Sequence, residues 1–249
     1  FSQSLEAIRI YGILNIAISS FLIFFILKDY TKKYHSFLAA LSFASIMNYY
    51  FWLETSSEIV SLPFILLSYI FFKKHEKSNL NLFLTGIFIS ISTLIRLNIA
   101  YLVILIVIFL IIKKVNIKQK IKEISLFGIS GLIPLIFLII IYYKQDLISL
   151  LYAGMIEVSL AYSSENSFLI GIYKYIKTIY KLCYFNPFPF LILMLLFISL
   201  IFKKSLLKKD NKYLILFTSG TLFSILVIGQ GFSHHLIMII PFMVIFIFS

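Results

Sequence analysis

Nine apolar stretches follow one another along the chain, near 8–27, 35–53, 57–72, 80–95, 97–112, 124–143, 186–202, 213–229 and 235–249, and lysine-bearing polar segments separate most of them. A helix needs about 20 apolar residues to cross about 30 Å of hydrocarbon. The pattern therefore predicts an all-α fold, a polytopic transmembrane helical bundle of about nine spans. No Gly/Ser linker, internal repeat or low-complexity tract interrupts it, so residues 1–249 read as a single transmembrane domain. The longest polar interval, 144–185, reads as an external loop. Within it, 167–184 predicts an interfacial helix, with Lys174, Lys177 and Lys181 on one face and Ile172, Ile176 and Ile179 on another. The chain opens on Phe1 and stops inside an apolar run, which reads as a piece of a longer protein.

Composition sharpens this picture. Hydrophobic residues make up 61%, charged residues 13%, and the mean hydropathy is +1.02. A soluble domain is nearer 45–50% apolar and about 25% charged, so a soluble fold is excluded. The formal net charge of +12 would point to nucleic acid in a soluble chain. Here the lysines fall in clusters: Lys28, Lys32 and Lys33; Lys73, Lys74 and Lys77; Lys113 to Lys122; Lys203 to Lys212. Positive loops stay cytoplasmic, so the chain must cross the membrane an even number of times between any two clusters.

That parity resolves residues 80–112, which are almost continuously apolar. Two short legs, each roughly 24 Å at 1.5 Å per residue, keep the flanking lysines on one side and put Arg96 at an embedded outer turn. On this topology the cytoplasmic loops hold 16 of the 22 basic and 4 of the 10 acidic residues, and the outer side is neutral. The charge excess is a topology signal and no nucleic-acid partner is expected. A lone cysteine, Cys183, rules out an intramolecular disulfide or a Cys-rich metal site.

The few outer charges are the candidates for chemistry. Glu54 and Glu58 stand at i, i+4. Glu58 opens an apolar run of only 14 residues, 59–72, so its helix is expected to extend back and carry the carboxylate to the outer boundary. Glu58 could hold a metal, a sugar hydroxyl or Arg96, or cap a helix at the interface. Arg96 could grip an anionic head group, since guanidinium binds phosphate bidentately and stays charged in a low-dielectric site; it could equally pair with Glu58 or lipid phosphate. His234 and His235 project about 100° apart on a helix, so at least one could face a cavity. Lys174 and Lys177, with Lys181, could steer a lipid phosphate or lie on anionic head groups. No cofactor is called for; a divalent metal ion is left open.

The chain has no Walker-type phosphate loop, no G-x-S-x-G elbow and no His-Glu-x-x-His helix. Nor do its apolar runs carry a buried acid–lysine relay of the kind proton-coupled transport uses. Three stretches together resemble the polytopic glycosyltransferases of the GT-C class: Glu58 to Tyr69, an acid before an apolar span; Leu84 to Ala100, with Gly86 and then Arg96 at the boundary; and Phe232 to Pro241, which resembles a late His-Tyr…Pro element with His235 in the aromatic place. The nearest resemblance is to bacterial relatives of the dolichyl-phosphate-mannose-protein mannosyltransferases and the aminoarabinose transferases.

The resemblance implies a membrane glycosyltransferase. It would move a sugar from a polyprenyl-phosphate donor to a glycan, lipid or protein acceptor on the extracytoplasmic face of a bacterial inner membrane. It also implies a catalytic acid in a first external loop, which would precede Phe1. Arg96 carries over as a donor-phosphate contact, His234 and His235 as cavity residues, and Glu58 as a position without an assigned role. Two other functions fit a polytopic chain of this kind: a flippase or transporter of lipid-linked saccharides, and a polysaccharide polymerase or ligase. Arg9 and Arg96 are the only outer arginines, which weighs against the polymerase.

Overall fold

The computed structural model describes residues 5–50, 56–157, 168–185, 211–228 and 233–248. These form ten α-helices: α1 (Leu5–Leu27), α2 (Lys33–Tyr50), α3 (Ser57–Lys73), α4 (Asn79–Ile95), α5 (Ala100–Ile112), α6 (Ile117–Lys144), α7 (Ile148–Tyr152), α8 (Phe168–Phe185), α9 (Asn211–Ile228) and α10 (Ile240–Phe248). The described residues are thus all-α. Two helices are long and apolar enough to cross a membrane by length and composition, Glu6–Leu27 and Ile117–Lys144. The apolar run 186–202 lies outside the described residues, as do Glu54 and the side chains of His234 and Lys181.

Local chemistry sets the helix limits. Helix α3 begins at Ser57, with Ser56 as N-cap accepting from the Ile59 N–H. It extends back past the apolar run far enough to take in Glu58, which lies in its first turn, and the cap stops it there. Helix α6 is longer than its apolar run. Asn116 accepts from the Gln119 N–H at 2.8 Å, and this cap lets the lysine-bearing residues before Ile124 join the helix. At the far end, residues 233–238 form a 3-10 turn rather than the start of an α-helix. Pro241 follows in the first turn of α10, where its missing N–H is tolerated.

The chain reverses at Arg96, which is extended (φ −149°, ψ 102°) between α4 and a 3-10 turn, Leu97–Ile99. The start of α4 and the end of α5 then meet at one end: Lys113 Nζ lies 3.3 Å from His75 Nε2 and 3.2 Å from Glu123 Oε1. Lys73 reaches Asp29 at 3.9 Å, and Lys212 reaches Glu76 at 3.3 Å. Asp29, Lys73, Lys113 and Lys212 therefore lie at the same end of the bundle; Lys203 to Lys209 lie outside the described residues. The other ends of α3 and α4 carry Glu58 and Arg96, about 25 Å away along the 17-residue α3.

Close helix packing holds this frame. Between α4 and α6 the backbones approach at small residues: a Cβ on Gly86 would meet the Phe127 carbonyl oxygen at 2.6 Å. Ser90 Oγ donates to the Gly131 carbonyl at 2.6 Å across the same seam. Tyr69, Phe217 and Phe242 pack mutually within 6.0 Å, and Phe72 joins them through Phe217. The opposite face of α6 exposes Ile129, Leu132, Ile136 and Phe137, a composition suited to lipid.

The lysine end contains buried polar groups that no sequence pattern marked. His75 and Glu123 are buried. His75 Nδ1 lies 2.6 Å from the Phe72 carbonyl, to which it donates, while Nε2 accepts from Lys113. Both partners suit neutral imidazole. Burial pushes its pKa below the ordinary 6.5, the Phe72 carbonyl opposes this, and Lys113 adds to the lowering. Burial raises the Glu76 carboxyl, but Tyr213 and Lys212 outweigh it and hold it low.

Two outcomes follow. Gly86→Ala should lower thermal stability in detergent by about 1–3 kcal/mol through overpacking, whereas Gly128→Ala, facing open space, should not. The folded state holds His75 with fewer protons than the unfolded chain, so its contribution is present above pH 6.5 and is lost as pH falls below it. The unfolding midpoint should drop through that window, and His75→Gln should flatten the drop.

Candidate functional site

The break at Arg96 points the guanidinium at the first turn of α3. Arg96 Nη1 donates to Glu58 Oε1 and, at 3.1 Å, to Ser57 Oγ. Ser57 Oγ–H in turn donates to Glu58 Oε2 at 3.2 Å. The Glu58 side chain is 2% exposed and that of Arg96 11%. Of the three partners open to Glu58 in the sequence (metal, sugar hydroxyl or arginine), the structure supplies the arginine.

The backbone around this pair is tied down. Ser92 Oγ donates to the Ser61 carbonyl at 3.3 Å, linking α4 to α3. Asn98 Nδ2 donates to the Ser224 carbonyl at 3.1 Å, linking the turn to α9. Arg96 Nε and Asn98 Oδ1 are buried without a hydrogen-bond partner. The guanidinium thus retains donor capacity beyond its bonds to Glu58 and Ser57.

His235 completes the cluster from the 3-10 turn before α10. Its Nε2 lies 3.8 Å from Glu58 Oε1, and its Nδ1 lies 2.7 Å from the Tyr175 hydroxyl. Both residues are buried. Tyr175 comes from α8, so the predicted helix in the long loop is present. Ile176 is 62% exposed, and Tyr175 is the side chain that turns inward. A buried phenol needs a partner for its hydroxyl, and His235 supplies it. On the same helix Lys174 is half-buried and Lys177 exposed.

The structure therefore joins three residues singled out from sequence, Glu58, Arg96 and His235, and adds Ser57 and Tyr175. Nothing local marks Tyr175; it lies 60 residues from His235 and among other tyrosines. Among the described residues no group of three or more His, Cys, Asp or Glu side chains is placed to hold a metal ion. Glu58 and His235 offer two ligating groups, with a guanidinium already on the carboxylate. That donor set fits a divalent cation poorly.

An all-helical bundle of apolar helices with an arginine–carboxylate pair buried at one end defines the class: an integral membrane protein with a polar site at the end of its spans. Residues 1–143 match the family model described as dolichyl-phosphate-mannose-protein mannosyltransferase, and the chain belongs to that family. It is a membrane glycosyltransferase that draws on a lipid-phosphate-linked sugar. No curated protein and no solved structure matches the chain. Ser57, Glu58 and Arg96 lie inside the matched stretch; Tyr175 and His235 lie beyond it.

A buried ion pair broken from one side leaves an uncompensated charge, which costs about 3–5 kcal/mol. Arg96→Leu should therefore destabilise the protein by about that amount. Glu58→Leu combined with Arg96→Leu should recover most of the loss. Thermal unfolding in detergent, run as a double-mutant cycle, measures the coupling.

Proposed function

We propose that the chain transfers a sugar from a polyprenyl-phosphate donor to a glycan, lipid or protein acceptor at the extracytoplasmic face of a bacterial inner membrane. Residues 1–249 form one transmembrane domain in this reading. The lysine end faces the cytoplasm, about nine spans cross the bilayer, and 144–185 is an external loop whose helix α8 lies at the interface. The meeting of Lys73, Lys113 and Lys212 at one end supports this orientation through the preference of basic loops for the cytoplasm.

The observation that carries the reading is the placement of Arg96 within the family-matched stretch. The residue ends an apolar helix, opposite the lysines, with its guanidinium held by Glu58 and Ser57 and one donor unspent. A lipid-linked donor needs an apolar groove for its tail and a cation at its phosphate. As the glycosidic bond breaks, negative charge gathers on the departing phosphate, and a preorganised guanidinium stabilises it there more than in the ground state. His235 and His234 belong to the cavity around that phosphate, Glu58 fixes the guanidinium, and Lys174 and Lys177 draw the anionic head group toward it.

The test is release of polyprenyl phosphate from polyprenyl-phosphate sugar by purified protein given an acceptor. Arg96→Lys keeps the charge opposite Glu58 but loses the forked donor geometry. It should lower kcat/KM by about 10²–10³-fold while thermal stability stays close to wild type. Full activity in Arg96→Lys would overturn the phosphate role. Transport of the intact donor across vesicles without release would favour the flippase.

A further inference from the structure

We propose that Glu58 is a partner-exchange latch, seated on Arg96 in this structure and handed to His235 as a lipid-linked phosphate takes the guanidinium, with Tyr175 holding the imidazole in the tautomer that can receive it. The proposal rests on the reading of Arg96 as the phosphate contact and adds how that contact is made available.

The need for an exchange follows from charge. A phosphate oxygen at Arg96 would bring a second anion beside Glu58 in a site where both side chains are largely buried. Like charges a few ångströms apart at low dielectric repel strongly. The carboxylate must either be neutralised or find another donor.

The other donor is in place. Glu58 Oε1 lies 3.8 Å from His235 Nε2. A shift of about 1 Å brings the pair within hydrogen-bond range. Ser57 Oγ–H holds the second carboxylate oxygen, Oε2, at 3.2 Å. Rotation about that bond lets Oε1 leave Arg96 without releasing the whole group.

Tyr175 decides whether His235 can accept the hand-over. Neutral imidazole donates at one nitrogen and accepts at the other. If Nδ1 carried the proton, the Nε2 lone pair would face the carboxylate. With the Tyr175 hydroxyl donating to Nδ1 across 2.7 Å, the proton sits on Nε2 and points at Glu58. Tyr175 is thus a positioning residue: through its bond to His235 Nδ1 it sets the proton that receives the carboxylate.

Binding of polyprenyl phosphate to the purified full chain in nanodiscs tests the latch, because the probe is independent of sugar and acceptor. A hydrogen bond to a charged group is worth about a tenfold change or more. His235→Leu should weaken binding by at least about that factor. His235→Gln, which can present an N–H near the Nε2 place, should stay within about threefold of wild type. Tyr175→Phe should weaken binding by about threefold to tenfold, a loss that one neutral hydrogen bond accounts for.

The decisive measurement is the same pair of substitutions on Glu58→Gln, where no second anion remains to be handed over. There His235→Leu and Tyr175→Phe should each change affinity by less than about twofold. An unchanged penalty on that background would overturn the latch. Tyr175→Phe, which removes one oxygen atom, carries the same cycle if His235→Leu fails to fold. Binding by wild type that Arg96→Lys weakens, with additive His235 and Glu58 effects, would overturn the latch and leave the phosphate role standing. Binding insensitive to Arg96→Lys would overturn both.

Discussion

Arginine resists burial: moving its charge out of water costs several kcal/mol unless an anion is brought against it with good geometry. The chain places Arg96 in the middle of 33 nearly continuous apolar residues, 80–112, and so must answer that cost within the bundle. It does so by stopping α4 at Ile95, turning at residues 97–99 and starting α5 in the opposite direction. The extended backbone at Arg96 aims the guanidinium at α3, where Ser56 caps the helix and Glu58 stands in the first turn. The cap, the turn and the ion pair are one solution, and the course of α3, α4 and α5 depends on it.

The distant end of the same helices shows a comparable constraint. Lys113, His75, Glu123 and Glu76 meet where α5 ends, α4 begins and α6 begins, with Lys212 and Tyr213 added from α9. A buried polar cluster at each end pins α4 and α5 in register. The middle is left to apolar and small residues, where Gly86 and Gly131 let α4 and α6 approach and Gly220 does the same for α9 against Leu102. Polar groups fix position at the ends while close packing fixes distance between them. This division suits a bilayer, where apolar contact alone gives helices little reason to associate.

How much of this was legible in the sequence depended on whether a signal was local. The reversal at Arg96 followed from a single arginine in an apolar run combined with lysines on both flanks. Arginine as a partner for Glu58 was one of several readings that charge and position allowed. The N-terminal extension of α6 was hidden because hydropathy measures the apolar run and not the helix; Asn116 as cap was the available clue. At α3 the bilayer-length argument carries Glu58 into the helix, while the Ser56 cap sets where the helix begins. Tyr175 was invisible. The isoleucines at helical spacing marked a face of α8, but only a histidine 60 residues away makes Tyr175 the side chain that turns inward. His75 and Glu123 looked like ordinary loop charges because their burial is a product of where α5 ends.

The division of the site along the chain has a consequence for how it works. The stretch matching the family supplies Ser57, Glu58 and Arg96, which together make a neutral ion pair. In such a pair the guanidinium's charge is already met by the carboxylate, which lowers its pull on an incoming anion. The residues that could alter this balance, His235 and Tyr175, come from the part of the chain beyond the match. A carboxylate that can trade the guanidinium for an imidazole nitrogen 3.8 Å from its Oε1 can be redistributed by a third charge. On this physical view the first half of the chain stores the cation in a bilayer-compatible form. The second half decides when it can be used, and α8, which presents Tyr175 inward and Lys177 outward, is the element through which the surface and the buried pair are connected.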